Sequence, residues 1–386
     1  MNAHVYSRGS VRAAPRNIAL PSALERHARP ARLCLARSSS PAAGQTNLKN
    51  VIERLMAGEN LSGAESNAAL QALVAGAEPA QMAAFLVLLR AKGETAEEIA
   101  GLANAMKALG VPVKTAYPVL DIVGTGGDGI GSVNISTGAT VIAAAAGAKV
   151  AKHGSRSVSS LCGSADVLEA LGISVDLGAA GVTKCIDEAG VGFMFAPNFH
   201  PAMKAISPVR KALKVRTAFN MLGPLLNPAD AAYGLIGVYS TSVSNLMADA
   251  LQELGVKKAL VVHSMGLDEL TPMGPADVVE ISEGIARRNY QIEPKDLGIP
   301  RCTVEDLAGG DAKLNAKILM DAFGGQRGAV ADALNLNAGV ALAAANVAKD
   351  AKEGVMMAQE AQRSGKSADT MRKWIEVSAA AQNQGL

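Results

Sequence analysis

Over residues 46–115, apolar positions recur three and four apart, as in "NLKNVIERLM" and "QMAAFLVLLRAK". That is the spacing of helices with one buried face. "ETAEEIAG" opens one of them, with Thr95 as its N-cap. From residue 117 the pattern changes. Short β-like runs ("YPVLDIV", "AKVAK", "VGFMFAP", "YGLIGVYS", "KALVVHS") alternate with helical stretches such as "STGATVIAAAAGA", "SADVLEALGI" and "SVSNLMADALQELG". Such alternation predicts a mostly parallel sheet covered by helices. "ADVVEISEGIARRNYQIEP" interrupts it and reads as an antiparallel hairpin, and the stretch from "NAGVALAAANVAKD" onward is helical and structural. The expected fold class is α/β, a large mostly parallel sheet domain (116–386) after a small all-helical domain (46–115). Helices from about 180–215 are expected to pack on the smaller one.

Each β-like run leads into a polar or glycine-rich cluster: "GTGGDG", "HGSRSVSS", "APNFHPAMK" and "SMGLDELTP". The C-terminal ends of an open parallel sheet line one crevice, so these clusters should converge on one site.

The first cluster, "DIVGTGGDGIGSVNIST", spells the G-x-G-x-x-G of a dinucleotide site. That site needs an acid about twenty residues on to hold a ribose hydroxyl. No acid lies between Asp128 and Asp166. A P-loop is excluded too, because no Lys-Ser or Lys-Thr follows the glycines. The glycines still let backbone N–H groups approach a phosphate, and Asn134 and Ser136 are suitable caps for a helix whose N-terminus attracts anions. The second run ends in Lys152, His153 and Arg156, which are further anion-binding groups. Two loops of this kind fit one ligand with two anionic groups. For His153 a general base, an anion contact and a structural role all remain open.

In "GLDEL", Asp268 and Glu269 suit Mg²⁺, which takes one or two carboxylates plus substrate phosphates; the Ser136 hydroxyl could add a donor. "HPAMKAISPVRKALKVRTAF" carries His200, Lys204, Arg210, Lys211 and Arg216, and Arg210 could clamp a carboxylate. "NMLGPLLNP" is a structural loop. No Ser-His-Asp set, usable Cys-His pair or metalloprotease helix is evident.

Composition narrows the field. Aromatics make up 3%, too few for a base-stacking surface. Residues 1–45 hold seven arginines and one acid (Glu25), whereas the rest has 30 basic and 34 acidic residues. The folded part is thus mildly acidic, and a nucleic-acid partner is disfavoured. The Arg-, Ser- and Ala-rich stretch 1–45 has a transit-peptide composition. Four scattered cysteines, Cys34, Cys162, Cys185 and Cys302, suggest reduced thiols, not zinc or a disulfide framework. No apolar run is long enough for a membrane span.

Taken in order, "GTGGDG…NIST", "KHGSRSVSSLCGSADVLEALG", "FAPNFHPAM…VRKALKVRTAFNMLGPLLNPA" and "GLDEL" resemble the anthranilate phosphoribosyltransferase family over about residues 47–382. The resemblance implies Mg²⁺-dependent transfer of 5-phosphoribosyl from phosphoribosyl pyrophosphate (PRPP) to the amine of anthranilate, in tryptophan biosynthesis. The products are N-(5-phosphoribosyl)anthranilate and pyrophosphate. It implies no covalent nucleophile, with Lys152 and Arg156 acting electrostatically. It places PRPP against Gly124, Gly127, Asp128, Ser132 and the run Asn134, Ile135, Ser136, Thr137. A second set is Lys152, His153, Gly154, Ser155, Arg156, Ser157, Val158, Ser159 and Ser160, with Ser164 beyond. Anthranilate falls to Gly124, Ser155 and Arg210, and Mg²⁺ to Ser136, Asp268 and Glu269. The family usually reads "KHGNR" where this chain reads "KHGSR", so Ser155 is a departure at the acceptor. A homodimer through the helical domain and a plastid destination are also implied, with mitochondrion or cytoplasm the alternatives to the plastid. The nearest rival by fold is a nucleoside phosphorylase.

Overall fold

The computed structural model describes residues 46–127, 129–157 and 161–386. Residues 1–45, which include Cys34 and the stretch expected to be a transit peptide, and Asp128, Val158, Ser159 and Ser160 lie outside the described residues.

Four helices come first: α1 (Leu48–Met56), α2 (Gly63–Val74), α3 (Pro79–Lys92) and α4 (Ala96–Ala108). Their starts follow from local chemistry. Asn47 accepts from the first-turn N–H groups of α1, Ser62–Glu65 and Thr95–Glu98 form capping boxes, and Pro79 sits where its missing N–H is no loss. Glu98 does more than cap. Its buried carboxylate also accepts from Leu61 N–H at 2.8 Å and from Lys92 Nζ at 2.9 Å, tying the start of α2 to α4. The same two helices approach closely at Gly101, where a Cβ would lie 2.1 Å from Ser66 Oγ.

The strands are β1 (Leu120–Gly124), β2 (Val150–Gly154), β3 (Val191–Phe195), β4 (Tyr233–Gly237), β5 (Lys258–Ser264), β6 (Ala276–Ser282) and β7 (Ile285–Ile292). They form one sheet in the order β3-β2-β1-β4-β5-β6-β7. The first five run parallel, and β6 and β7 form the expected antiparallel hairpin. The α/β class is as the alternation predicts.

Period-two alternation gives the sheet two buried faces. Leu235, Leu260 and Val262 join a core with α5 (Ile135–Ala145) and the Ala329–Ala344 helix. Ile236, Ala259 and Val261 point the other way, into a core shared with α2, α3 and α4. The Ser244–Glu253 helix lies on that face of β5 and β6, and the helical layer packs against it through α4. Of the helices in the 180–215 segment, Met203–Leu213 packs on that layer, against α3. Helix α7 (Ala179–Ala189) instead packs on β3 and the C-terminal helix, because its apolar stripe, Val182, Cys185 and Ile186, faces the other core.

At the far end the Ala329–Ala344 and Ala351–Arg363 helices cross on paired glycines. A Cβ on Gly354 would lie 2.0 Å from Gly339 O. The C-terminal helices are structural, as their apolar pattern suggests. No helix among the described residues is long and apolar enough to cross a membrane. Cys162 and Cys185 are buried and Cys302 is partly buried.

Candidate active site

The chain builds the sheet outward from β1 through β2 to β3, then starts again on the other side of β1 with β4. Ligand crevices in open α/β sheets form where the order reverses like this. Here β1 and β4 end in glycines that face each other across the ladder, Gly124 and Gly237. A Cβ on Gly237 would lie 1.6 Å from Asp268 O, and one on Gly124 would lie 2.3 Å from Asp268 Oδ2. The two bare strand ends are the seat of the "GLDEL" loop.

Asp268 Oδ2 accepts from Gly126 N–H in the glycine loop. Glu269 Oε1 accepts from Ser136 N–H at 3.1 Å, in the first turn of α5. Ser136, Asp268 and Glu269 therefore meet at one point. Two devices deliver the carboxylates there. A tight turn at Met265 and Gly266, both at positive φ, brings the chain out of β5. Asn337, buried in the Ala329–Ala344 helix, then grips Leu270 by its N–H (3.1 Å) and its carbonyl (2.7 Å). No sequence signal marks Asn337, which lies within a helix that reads as wholly structural.

Burial, and then the charge of Asp268, push the Glu269 carboxyl well above the usual carboxylate range. A buried carboxyl that holds its charge with difficulty beside a second carboxylate suits a divalent cation. Among the described residues no third His, Cys, Asp or Glu completes a metal-binding group with them. Two carboxylates beside the hydroxyl-bearing Ser136 are a donor set of the kind that holds Mg²⁺ together with phosphate and water.

Other expected residues take less expected positions. Lys152 does not reach the crevice. Its ammonium is buried and donates to Ile122 O at 2.6 Å, its pKa lowered by burial against the pull of Asp121, Glu269 and Asp268. Arg156 folds back onto α6 (Ser164–Ala170), bonded to Asp166 at 3.0 Å and bidentately to Glu169 at 2.5 and 2.7 Å. Asn134 stands at the N-cap of α5 but makes no side-chain cap bond. Ser136 lies inside the helix, two positions past the N-cap. Ile135 is buried, so only its backbone can face a ligand.

Thr137 Oγ1 bonds Ser164 Oγ at 3.0 Å, so α5 and α6 start side by side. Gly154 ends β2, Ser155 is exposed beyond it, and Ser157 N–H donates to Asp166. Ser132 lies opposite Ala308 in an isolated bridge.

His153 is buried. Its Nδ1–H donates to Gly223 O at 3.2 Å, because a carbonyl can only accept. His200, edge-on to it, does the same from Nε2 to Leu226 O at 2.9 Å. Burial, with His200 and Lys152 nearby, pushes the pKa of His153 down to about 3. A neutral ring has no charge to offer an anion. These bonds also show "GPLL" to be a structural loop, as read from its turn residues.

Arg210 is half-buried over the Phe219 ring at 5.5 Å, and burial alone lowers its pKa. Among the described residues no carboxylate forms a salt bridge with it. Further along the same segment, Arg216 stacks on Tyr239 at 3.8 Å and donates to Gly127 O at 2.6 Å, so it grips the glycine loop. The sequence marked Arg216 only as one cation among several.

A helical layer, a switch-point crevice and a glycine loop facing paired carboxylates define a class of transferase. The chain matches the helical bundle domain of the glycosyl transferase family over residues 49–110 and its a/b domain over 116–368. It is 47% identical over 335 residues to the anthranilate phosphoribosyltransferase of Roseiflexus castenholzii, covering 86% of this chain and 98% of that one. The crystal structure of the Thermus thermophilus enzyme of the same name superposes with a TM-score of 0.81 at 42% identity, over 85% of this chain and 99% of that one. The Saccharomyces cerevisiae enzyme, in complex with PRPP and Mg, gives a TM-score of 0.80 at 28% identity, over 86% and 98%. The chain belongs to the anthranilate phosphoribosyltransferase family.

The buried histidine sets a pH dependence. Its folded pKa of about 3 lies below the ordinary value of 6.5. Unfolding therefore takes up a proton that the native state refuses, and stability falls as pH drops from about 6.5 towards 3. His153→Gln should flatten this slope by up to about 1.4 kcal/mol per pH unit, one proton's worth. Urea unfolding at several pH values would check it, and an unchanged slope would show that the ring is not held neutral.

Proposed function

We propose that the protein carries out the family's reaction in tryptophan biosynthesis, Mg²⁺-dependent transfer of 5-phosphoribosyl from PRPP to the amine of anthranilate. The observation that carries this reading is the pair Asp268 and Glu269 locked against the two backbone anion seats, Gly126 N–H and Ser136 N–H. A nucleoside phosphorylase would bind phosphate and a nucleobase and would not need such a pair. The half-buried, carboxylate-free Arg210 supports an acceptor that is itself a carboxylate.

Bound Mg²⁺, held by Asp268, Glu269 and the Ser136 hydroxyl, would neutralise charge that builds on the leaving pyrophosphate. The protein's own groups do the rest. Glycine-loop N–H groups and the N-terminus of α5 hold phosphate oxygens. Arg210 fixes the anthranilate carboxylate, which orients the amine. That arylamine is neutral with a free lone pair, so positioning replaces base catalysis. Buried Lys152 serves the charge balance of the acidic pair and does not touch the leaving group.

The double variant Asp268→Asn/Glu269→Gln should fold yet lose PRPP turnover, read as the Mg²⁺-dependent loss of anthranilate fluorescence. Near-normal kcat would remove the metal assignment. Ser155→Asn should change the KM for anthranilate much more than that for PRPP. Equal effects would show that position 155 does not face the acceptor.

The helical layer also offers a self-association surface. Val87 is exposed on α3, and an apolar cleft of about 330 Å³ lies between α2–α3 and the Met203–Leu213 helix, lined by Leu73, Met82 and Val209. A second copy would cover it. Light scattering should give a dimer that Ala205→Glu converts to monomer. A native monomer, or a variant that stays dimeric, would reject this surface.

A further inference from the structure

We propose that Asn315 is a positioning residue that keeps the N-terminus of α5 open to a phosphate. The proposal rests on the reading that PRPP binds the glycine loop.

The limb that leaves the glycine turn is held from outside. Val133 N–H donates to Leu307 O at 2.9 Å, and Gly309 N–H donates to Gly131 O at 3.0 Å. Residues 307–309 thus form a short antiparallel strap along the loop. Only glycine fits at 309, because a Cβ there would lie 2.8 Å from Val133 N and 2.9 Å from Asn315 Oδ1.

Asn315 lies just beyond the strap, in the Ala312–Phe323 helix, and is 1% exposed. Its Oδ1 accepts from Gly310 N–H at 2.8 Å, and its Nδ2 donates to Asn134 Oδ1 at 2.9 Å. Asn134 in turn donates to Cys162 O at 3.1 Å and accepts from Cys162 Sγ at 3.3 Å. Its side chain therefore ties the glycine loop to the end of the second anion loop.

An asparagine at an N-cap ordinarily turns its oxygen onto the N–H of the second or third helical residue. For Asn134 those are Ser136, whose N–H is taken by Glu269 Oε1 at 3.1 Å, and Thr137. Such a cap would put the side chain where a phosphate should sit. Asn134 makes no cap bond because its oxygen is already engaged, and the donor that engages it from across the fold is Asn315. The fold thus forgoes an ordinary helix cap and leaves the Thr137 N–H to a ligand.

Asn315→Asp isolates this role. It keeps the acceptor for Gly310 but sets a second oxygen against Asn134 Oδ1. The expected result is about a tenfold rise in the KM for PRPP, as for loss of one well-placed buried hydrogen bond, with the KM for anthranilate changed less than about twofold. The gain in Tm on adding PRPP with Mg²⁺ should shrink likewise. If the aspartate does not fold, Asn315→Ala, which brings no charge, should show the same split. Combining Asn315→Ala with Asn134→Ala should add nothing to the effect of Asn134→Ala alone. A loss shared equally by both substrates, additive effects, or an unaltered PRPP KM beside an impaired Asn134→Ala would overturn the proposal alone. An Asn134→Ala enzyme with normal PRPP KM would overturn the glycine-loop reading and the proposal with it.

Discussion

The two missing side chains at Gly124 and Gly237 are the constraint around which the crevice is built. Paired at the ends of adjacent strands, they let a loop lie directly on the sheet edge. Asp268 reaches down to Gly126 only because nothing projects from either strand end. Glu269 then falls in line with the first turn of α5, and the glycine loop must bend around both carboxylates. A methyl group at either position would have to displace the backbone of the acidic loop, not merely a flexible side chain. The phosphate loop, the helix terminus and the acidic pair are thus positioned by one packing condition.

That geometry concentrates charge in a poorly solvated place. Asp121, pushed up to about 6 chiefly by burial, sits in β1 and accepts from His153 N–H at 3.3 Å and from Asn227 Nδ2 at 2.7 Å. With Asp268 and Glu269 it faces one buried ammonium, Lys152, which cannot balance three carboxylates. Desolvation is the largest cause acting on Asp121, Lys152 and Glu269, and it disfavours every charged form. A divalent cation would turn that unfavourable balance into a favourable one. The acidic pair therefore makes sense as half of a site whose other half arrives with the substrate.

Most of the frame is legible in the sequence, because it rests on short-range signals. Strand runs, the capping box at Thr95, the hairpin and the glycine loop each declare themselves within about ten residues. The acid-free stretch after the glycines ruled out a dinucleotide, and "GLDEL" sits where its position after β5 implied. What the sequence conceals is where a polar side chain spends its bonds. Lys152 and Arg156 read as anion-binding groups, yet one is sealed under the sheet and the other is neutralised by Asp166 and Glu169, ten and thirteen residues on. Asn134 reads as a cap and is not one. Asn315 and Asn337 lie 181 and 67 residues from the groups they hold, in helices that look ordinary. No local pattern can register a partner chosen by tertiary packing.

The segment from Arg210 to Asn227 shows how such long-range bonds combine. Arg210 lies near the end of the Met203–Leu213 helix, and Lys214 closes that helix in the left-handed conformation, which lets the chain turn back. Two residues later Arg216 stacks on Tyr239 and holds Gly127 O. Just beyond, the Gly223 and Leu226 carbonyls are fixed by His153 and His200, and Asn227 is bonded to Asp121 and to Ala151 O. This stretch is thus anchored to the glycine loop at one end and to β1 and β2 at the other. The guanidinium assigned to the acceptor and the loop assigned to PRPP are held by one short segment. Because the segment also packs on α3, its position depends on the helical layer, so the small domain helps fix the distance between Arg210 and the glycine loop.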